Sequence, residues 1–268
     1  MAIPNELFRC PGCRKRNIVE GSSQVDCSAC GRTFPAHEGY LDLLDTEVLG
    51  EPTAASTEQR LMESELFARM YDRIWRPTFV RLLAGSGVRA FTGGFTGEFF
   101  IHKNALAMED HDGPWLDLSC GPGTFSRAMA AAAPSDWVVG VDISHAMLEV
   151  AVRRGRGYGN IVFARADAHD LPVADETMGG VNSSGAFHTY VDPDAVFSEI
   201  FRVLKPGGVF VGSTFAKSST LLGRAVASLA GIRRFDPLEL RGWLSRVGFA
   251  DYEEVRLGGV FVFRVRKP

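Results

Sequence analysis

The 268-residue sequence predicts an α/β protein built on a doubly wound sheet, preceded by a small cysteine-rich module. Three observations carry that expectation. A short apolar strand, Trp115 to Leu118, runs into a Gly-x-Gly turn at Gly121-Pro122-Gly123, and an alanine-rich helix follows from Phe125 to Ala133. Strand, glycine turn and helix bring bare backbone up to a nucleotide-like ligand, since glycine has no Cβ to hold the ligand away. Next, Trp137 to Val141 reads as a second strand ending in Asp142, 19 residues after Gly123, about where such folds grip ribose hydroxyls. Lastly, two Cys-x-x-Cys pairs, Cys10/Cys13 and Cys27/Cys30, stand 13 residues apart near the front of the chain.

The loop chemistry selects the ligand. A dinucleotide fold expects a third glycine where this chain has Ser126. The strand before the turn carries Asp117, which would repel a pyrophosphate and attract a cation. Pro122 removes a backbone N–H that a phosphate would want. The loop is built for positive charge. S-adenosylmethionine fits, bearing an ammonium and a sulfonium.

Four ordered segments then resemble one family: Leu116 to Gly123; Val141-Asp142-Ile143-Ser144 with Met147-Leu148; Ala166-Asp167-Ala168 with Leu171-Pro172; and Arg202 to Gly208. Residues from about 112 to 215 resemble a class I S-adenosylmethionine-dependent methyltransferase of the ubiquinone/menaquinone type. The resemblance implies a seven-stranded Rossmann-like sheet whose last strand is antiparallel. It also implies that Asp117 and the backbone of Ser119, Cys120, Gly121 and Gly123 hold the methionine moiety, beside Phe125. Asp142 would accept the ribose hydroxyls, Ile143 and Met147 would pack on adenine, Asp167 would accept from the adenine amino group beside Ala168, and Asn182 to Gly185, including Ser183, would floor the methyl site. One departure is Met178-Gly179-Gly180-Val181, where the family often has an acid; a looser strand start is expected.

Cys10, Cys13, Cys27 and Cys30 form two knuckles of the kind that hold a structural zinc ion, with Gly12 and Gly31 suited to the turns. Two disulfides would need an export signal, and neither a cationic start nor an apolar run stands in residues 1–7. A redox pair comes singly at a helix start. Four protein ligands leave no open position, so zinc is expected to be structural, and a forty-residue segment buries too little apolar surface to fold without it. Cys120 reads as a compact buried side chain. Residues 8–44 resemble the front of bacterial large-subunit rRNA guanine methyltransferases, and more closely a group of uncharacterised plastid-type and bacterial methyltransferases. In that second group the resemblance continues through Glu65-Leu66-Phe67, Tyr71 to Arg76 and Ser213 to Phe215.

The chain has room for one α/β domain plus the ribbon: 1–44 ribbon, 45–110 linker and helical lid, 111–268 methyltransferase domain. Hydrophobic residues make up 46%, enough for a large core, and no apolar run approaches the ~20 residues of a membrane span. A cytoplasmic protein with reduced cysteines is expected. The net charge of −3 argues against general nucleic-acid binding. Residues 201–268 carry +7, read as solvated surface. Within the ribbon, Arg9, Arg14, Lys15, Arg16 and Arg32 are nearly balanced by Glu6, Glu20, Asp26 and Glu38.

Residues 45–58 read as linker, Glu58 to Met70 and Tyr71 to Leu83 as helices of a lid interrupted by Pro77, and Phe91 to Phe100 as a mobile connection whose rings line the pocket or pack in the core. Strands are expected at 161–165, 180–184 and 208–214, helices at 193–204 and 236–247, and a closing hairpin around Gly258-Gly259.

Methyl transfer needs alignment and exclusion of water, with a general base only if the acceptor must lose a proton. His188, just after the fourth strand, is the candidate base; the competing reading is a loop-shaping hydrogen bond. Tyr190, Tyr71, Arg73, Trp75 and Arg76 are candidates for orienting an acceptor, and His145 and His169 are expected to be exposed. Three functions fit: methylation of a small molecule at oxygen or carbon, methylation of an rRNA guanine, or a cofactor-binding fold with a non-methylating role. The first is preferred, with a small-molecule acceptor as partner and no nucleic acid.

Overall fold

Strands buried on both faces by helices read as apolar runs, and residues 138–141 and 161–164 of this sheet are such runs. The computed structural model describes residues 4–20, 24–44, 64–71, 74, 76, 95–217 and 233–268. The expected linker, most of the two lid helices, Arg73, Trp75 and residues 91–94 lie outside the described residues. The front module holds β1 (Ile18–Glu20), β2 (Gln24–Cys27), β3 (Thr33–His37) and β4 (Tyr40–Asp42). Helices α1 (Glu65–Met70) and α2 (Phe95–Leu106) follow. The core alternates β5 (Trp115–Leu118), α3 (Thr124–Ala132), β6 (Val138–Asp142), α4 (His145–Gly155), β7 (Ile161–Arg165), β8 (Met178–Ser184), α5 (Pro193–Val203) and β9 (Leu204–Phe215). It closes with α6 (Pro237–Val247), β10 (Ala250–Leu257) and β11 (Val260–Arg266).

The strand order is β1-β2-β3-β4-β7-β6-β5-β8-β9-β11-β10. Strands β4, β7, β6, β5, β8 and β9 are mutually parallel, and β11 enters antiparallel to β9 with β10 antiparallel at the edge. The order reverses beside β5, where β6 lies on one side and β8 on the other. In open α/β sheets the ligand crevice lies at the carboxyl ends of strands at this switch point. The order past β7 was not anticipated. The front module's last strand, β4, pairs parallel with β7 and so extends the sheet, and Leu7, Phe8, Ile18, Val25 and Leu41 are buried in one cluster with Leu116, Val139 and Val162. Ribbon and sheet share a hydrophobic core.

Local signals explain most ends. Ser144 caps α4 by accepting from the Met147 amide, Asp192 caps α5, and Asp236 caps α6 with Pro237 in the first turn. Gly248, at φ 117°, ends α6.

Two expectations are corrected. Residues 95–100 belong to helix α2 instead of a mobile connection. The face α2 buries carries Glu98, His102 and Leu106, spaced four apart, and two of those three are polar, so hydrophobic periodicity missed it. The start of β8 is also tight, not loose. A Cβ on Gly179 would stand 2.0 Å from the carbonyl oxygen of Asp112, and one on Gly180 would stand 2.7 Å from the Trp115 ring. The two glycines allow this close approach, which an acidic side chain at either position would prevent. Elsewhere β9 starts at Leu204, four residues early, because Leu204 pairs with Met178 of β8.

Gly179→Ala is expected to destabilise the fold by about 2 kcal/mol or more, because the new methyl meets backbone that cannot rotate away. Urea denaturation checks it; an unchanged midpoint would remove the close-approach argument.

Candidate active site

The loop after β5 is built from residues forced into the left-handed region. Ser119, Gly121 and Gly123 have φ of 56°, 52° and 69°. The two glycines differ in purpose. A Cβ on Gly123 would stand 2.9 Å from Ala151 and 3.1 Å from the Phe163 ring, so this residue lets the loop close on α4 and β7. Among the described residues, a Cβ on Gly121 would meet nothing within 4 Å. Bare backbone therefore faces open space at Gly121, as a ligand cradle requires.

Asp142, at the end of β6, closes the other side. It accepts from the Gly121 amide at 2.7 Å and from the Ser144 amide at 2.9 Å, so one carboxylate ties the glycine loop to the start of α4. Ile143 is half-buried beside it, while Met147 is buried with Ala146, Val150 and Ala68 of α1. Asp167 is half-buried after β7 and accepts from the backbone amide (2.9 Å) and Nδ1 (2.6 Å) of His169. That pairing holds the Asp167 carboxyl low and raises His169. His169 is thus engaged, where an exposed side chain was expected; His145 is half-exposed and meets the Tyr40 hydroxyl.

Asp117 lies under the loop. It is buried, and its two oxygens accept from Ser126 Oγ at 2.6 Å and Asn182 Nδ2 at 2.9 Å. Ser126, at the place of the missing third glycine, is fully buried and spends its hydroxyl on this carboxylate. Desolvation pushes the Asp117 carboxyl up to about 6 against the pull of those two donors. Because the Asn182 amide nitrogen serves Asp117, its oxygen must accept from His102 Nδ1, at 2.6 Å. The His102 tautomer is thereby fixed with its proton on Nδ1; burial lowers its pKa, and Nε2 has no hydrogen-bond partner among the described residues. Alongside, Arg76 makes two hydrogen bonds to Glu98, at 2.8 and 2.6 Å, and one to Ser184 Oγ at 2.9 Å. Phe125 is buried 5.1 Å from the His102 ring, with Arg76 over its face.

Glu98 and His102 escaped the sequence reading. The signal was their i, i+4 spacing in a segment whose glycine and phenylalanine content masked its helicity. Cys120 is buried with its thiol raised well above the ordinary range, as a packing residue should be. Tyr190 is also buried, donating to or accepting from Ser119 Oγ (2.8 Å) and Ser183 Oγ (3.2 Å). Burial pushes its phenol up to about 12, so it braces the loop and has no charge to offer an acceptor. His188 sits half-buried on a short turn, Phe187–Thr189, with its ring 5.5 Å from Phe215.

In the front module the ligand atoms of Cys10, Cys13, Cys27 and Cys30 all lie within 4.8 Å of one another. Cys10 and Cys30 sulfurs are 3.7 Å apart and those of Cys13 and Cys27 are 3.6 Å apart. A disulfide needs about 2.05 Å. Four thiolates ~2.3 Å from a tetrahedral ion stand about 3.8 Å apart, so the spacing is compatible with zinc. The knuckle turns place Arg14 (φ 63°) and Gly31 (φ 74°) in the left-handed region. Gly12 serves otherwise: a Cβ there would strike the Arg32 side chain at 2.6 Å.

A parallel sheet with an antiparallel last strand, a glycine cradle at its switch point and a carboxylate at the end of the next strand define an α/β enzyme of the nucleoside-binding methyltransferase class. Residues 116–212 match the family model described as a methyltransferase domain. Over 98% of this chain and 78% of its own length, an uncharacterised chloroplastic methyltransferase of Arabidopsis thaliana is 28% identical. The demethylmenaquinone methyltransferase of Clavibacter sepedonicus is 34% identical over 57% of this chain and 73% of its own. Among solved structures, a phosphoethanolamine N-methyltransferase of Haemonchus contortus shares the fold with TM-score 0.62 at 16% identity, over 94% of this chain and 71% of that one. The chain belongs to the methyltransferase family and is an S-adenosylmethionine-dependent methyltransferase. No helix among the described residues is long and apolar enough to cross a membrane.

Chelating metal from the purified protein is expected to lower its melting temperature by several degrees, since ion binding on the order of 10 kcal/mol would hold the knuckles together. Thermal melts with and without chelator and added zinc check this; identical melts would show that the four thiols hold no ion.

Proposed function

We propose that the protein transfers a methyl group to the oxygen or carbon of a small molecule, such as a quinone, polyketide or other specialised metabolite. The observation that carries this reading over methylation of rRNA is the direction in which the ribbon's cations point. Arg9 is buried against Asp170 and Glu199, Arg14 pairs with Asp170, and Arg16 donates to the Asp175 carbonyl. Three of the five basic residues counted in the ribbon thus face the chain's own acceptors and not a phosphate backbone. Much of the basic C-terminal stretch is likewise paired, with Lys217 on Glu239, Arg256 on Glu254, Arg266 on Asp251 and Lys267 on Glu176. Relatives named demethylmenaquinone methyltransferase and malonyl-acyl carrier protein O-methyltransferase support carbon or oxygen acceptors.

When bound, S-adenosylmethionine supplies a methyl carbon on a sulfonium, which an acceptor atom takes in line as the carbon–sulfur bond breaks. The chain's part is to bind, orient and exclude water, which can supply several kcal/mol. In this reading the backbone of Ser119, Cys120, Gly121 and Gly123 lies along the methionine half, with the Asp117 charge beneath it and Phe125 alongside. Asp142 accepts from the ribose hydroxyls. Ile143 and Met147 form the wall beside adenine, and Asp167 and Ala168 meet its edge. Ser183 floors the methyl site, and His188 takes the acceptor proton where one must leave. Cys10, Cys13, Cys27 and Cys30 hold a structural zinc ion that takes no part in transfer, and reduced thiols of this kind fit the cytoplasm. Functionally, the chain divides into ribbon (1–44), linker and lid (45–110) and methyltransferase domain (111–268).

Calorimetry with S-adenosylmethionine tests the site. Asp142→Ala is expected to weaken binding at least about 30-fold, the ~2 kcal/mol typical of hydrogen bonds to a charged group; wild-type affinity would remove the ribose assignment. Mass spectrometry of metabolite extracts incubated with the enzyme and donor should reveal products one methyl heavier, whereas methylation of rRNA alone would reverse the choice of acceptor.

Asp117 adds a pH signature. Its folded value of about 6 lies above the ordinary 3.8, so its charge is present above pH 6 and lost below. Affinity for the cationic donor should therefore fall as pH drops through about 6. Over the same fall the fold should gain stability, because the folded state takes up this proton before the unfolded chain does. Asp117→Asn should abolish the step in affinity; a step that persists would assign it to another group.

A further inference from the structure

The ribbon meets the methyltransferase domain directly behind two loops of the cofactor end. The first meeting runs through β4 and β7, where Asp42 stands opposite Arg165. Asp42 accepts from Arg165 Nη1 at 3.2 Å, and the same guanidinium donates from Nε to the Ile143 carbonyl at 3.0 Å. One fork thus grips the ribbon with one prong and the loop after Asp142 with the other. Next to it the Tyr40 hydroxyl meets Nδ1 of His145, the first residue of α4. The second meeting runs through Arg9. Its backbone amide donates to the Pro172 carbonyl at 2.9 Å and its Nε to the Leu171 carbonyl at 3.1 Å, while its guanidinium faces Asp170 and Glu199. Asp170, Leu171 and Pro172 lie just past Asp167 and Ala168.

The geometry points to the ribbon as the brace of the adenosine half of the site: Asp42, acting through Arg165, positions the Ile143 loop, and Arg9 positions the 167–172 turn. The inference rests on reading Asp142, Ile143 and Asp167 as adenosine contacts. None of the three bracing residues is placed against ligand; each is a positioning residue acting through a loop it holds. A purely adhesive interface would need only buried apolar contact, which the shared core already provides. Instead, Arg9 of the ribbon ends on the carbonyls of the 167–172 turn, and the ribbon's Asp42 holds the arginine of β7 that ends on the Ile143 carbonyl. Arginine suits the task, since its planar guanidinium can bond two acceptors at once, whereas a lysine ammonium at the same place is a point donor with a different reach. Arg165 is also partly exposed, its side chain 26% accessible. Losing Asp42 therefore frees the fork to turn to water and release Ile143, with little penalty to hold it in place.

The test is calorimetric titration of the full chain with S-adenosylhomocysteine and, separately, 5′-methylthioadenosine, which keeps the adenosine but lacks the amino acid. Asp42→Ala and Arg165→Lys are each expected to weaken both ligands by the same factor, roughly tenfold. The double variant should be no weaker than the worse single one, because both act through one linkage. Arg16→Ala, whose contact is the Asp175 carbonyl outside these loops, is the control and should lower the melting temperature while leaving both affinities unchanged. If Asp42→Ala lowers only the melting temperature and binds both ligands like the wild type, the ribbon is adhesive and the inference is wrong. A loss confined to S-adenosylhomocysteine would place the effect in the methionine half and overturn it equally. Failure of the wild-type protein to bind either ligand would instead sink the reading of the cofactor site, which separates the two failures.

Discussion

A carboxylate sealed from water beneath a glycine loop is the constraint around which this enzyme is organised. Burying an ion is costly unless donors replace its hydration. Asp117 receives side-chain donors from Ser126 on α3 and Asn182 on β8. Each donor belongs to a different element, so satisfying this one charge fixes how α3 and β8 sit on β5. Asn182 then needs a donor for its own oxygen and finds it in His102 of α2. The result is a polar layer, continued by Glu98, Arg76 and Ser184, under the carboxyl ends of the parallel strands where an apolar core would ordinarily be. An apolar layer could pack as well but would leave no negative potential beneath a cationic ligand.

The same economy governs the front of the chain. Four thiols in two knuckles make a compact unit, yet its strand β4 pairs in register with β7 and its apolar residues enter the domain's own core. An exposed parallel edge at β7 would present unpaired backbone groups. The ribbon covers that edge and at once acquires contacts with the loops that leave β6 and β7. Three of its five basic side chains are spent inward, on Asp170, Glu199 and the Asp175 carbonyl, which is why they need not signal nucleic acid.

Asp142 ties two segments of the candidate site together. Its oxygens tie the Gly121 amide to the start of α4 while the backbone beside it stays bare and open. Contacts of this kind hold the loop in one shape, the shape that the proposed nucleoside site uses.

The sequence by itself determined the sheet, the cradle and the thiol cluster, because each is specified by residues close together in the chain: Gly121 and Gly123 with Asp117 before them, the Asp142 strand, the paired knuckles, the Gly258-Gly259 hairpin. Periodicity and turn chemistry are local, and local order survives in one dimension. What only the tertiary structure decided are the contacts between distant segments whose residue types look ordinary in isolation. Glu98 and His102 hid in a glycine- and phenylalanine-rich stretch because their partners, Arg76, Ser184 and Asn182, come from other elements. Gly179 and Gly180 suggested a loose strand until the Asp112 carbonyl and the Trp115 ring were seen pressed against them. That β4 joins β7, and that Asp42 reaches Ile143 through Arg165, depends on register across more than a hundred residues. No pattern along the chain encodes that register; the packing of one core against another sets it.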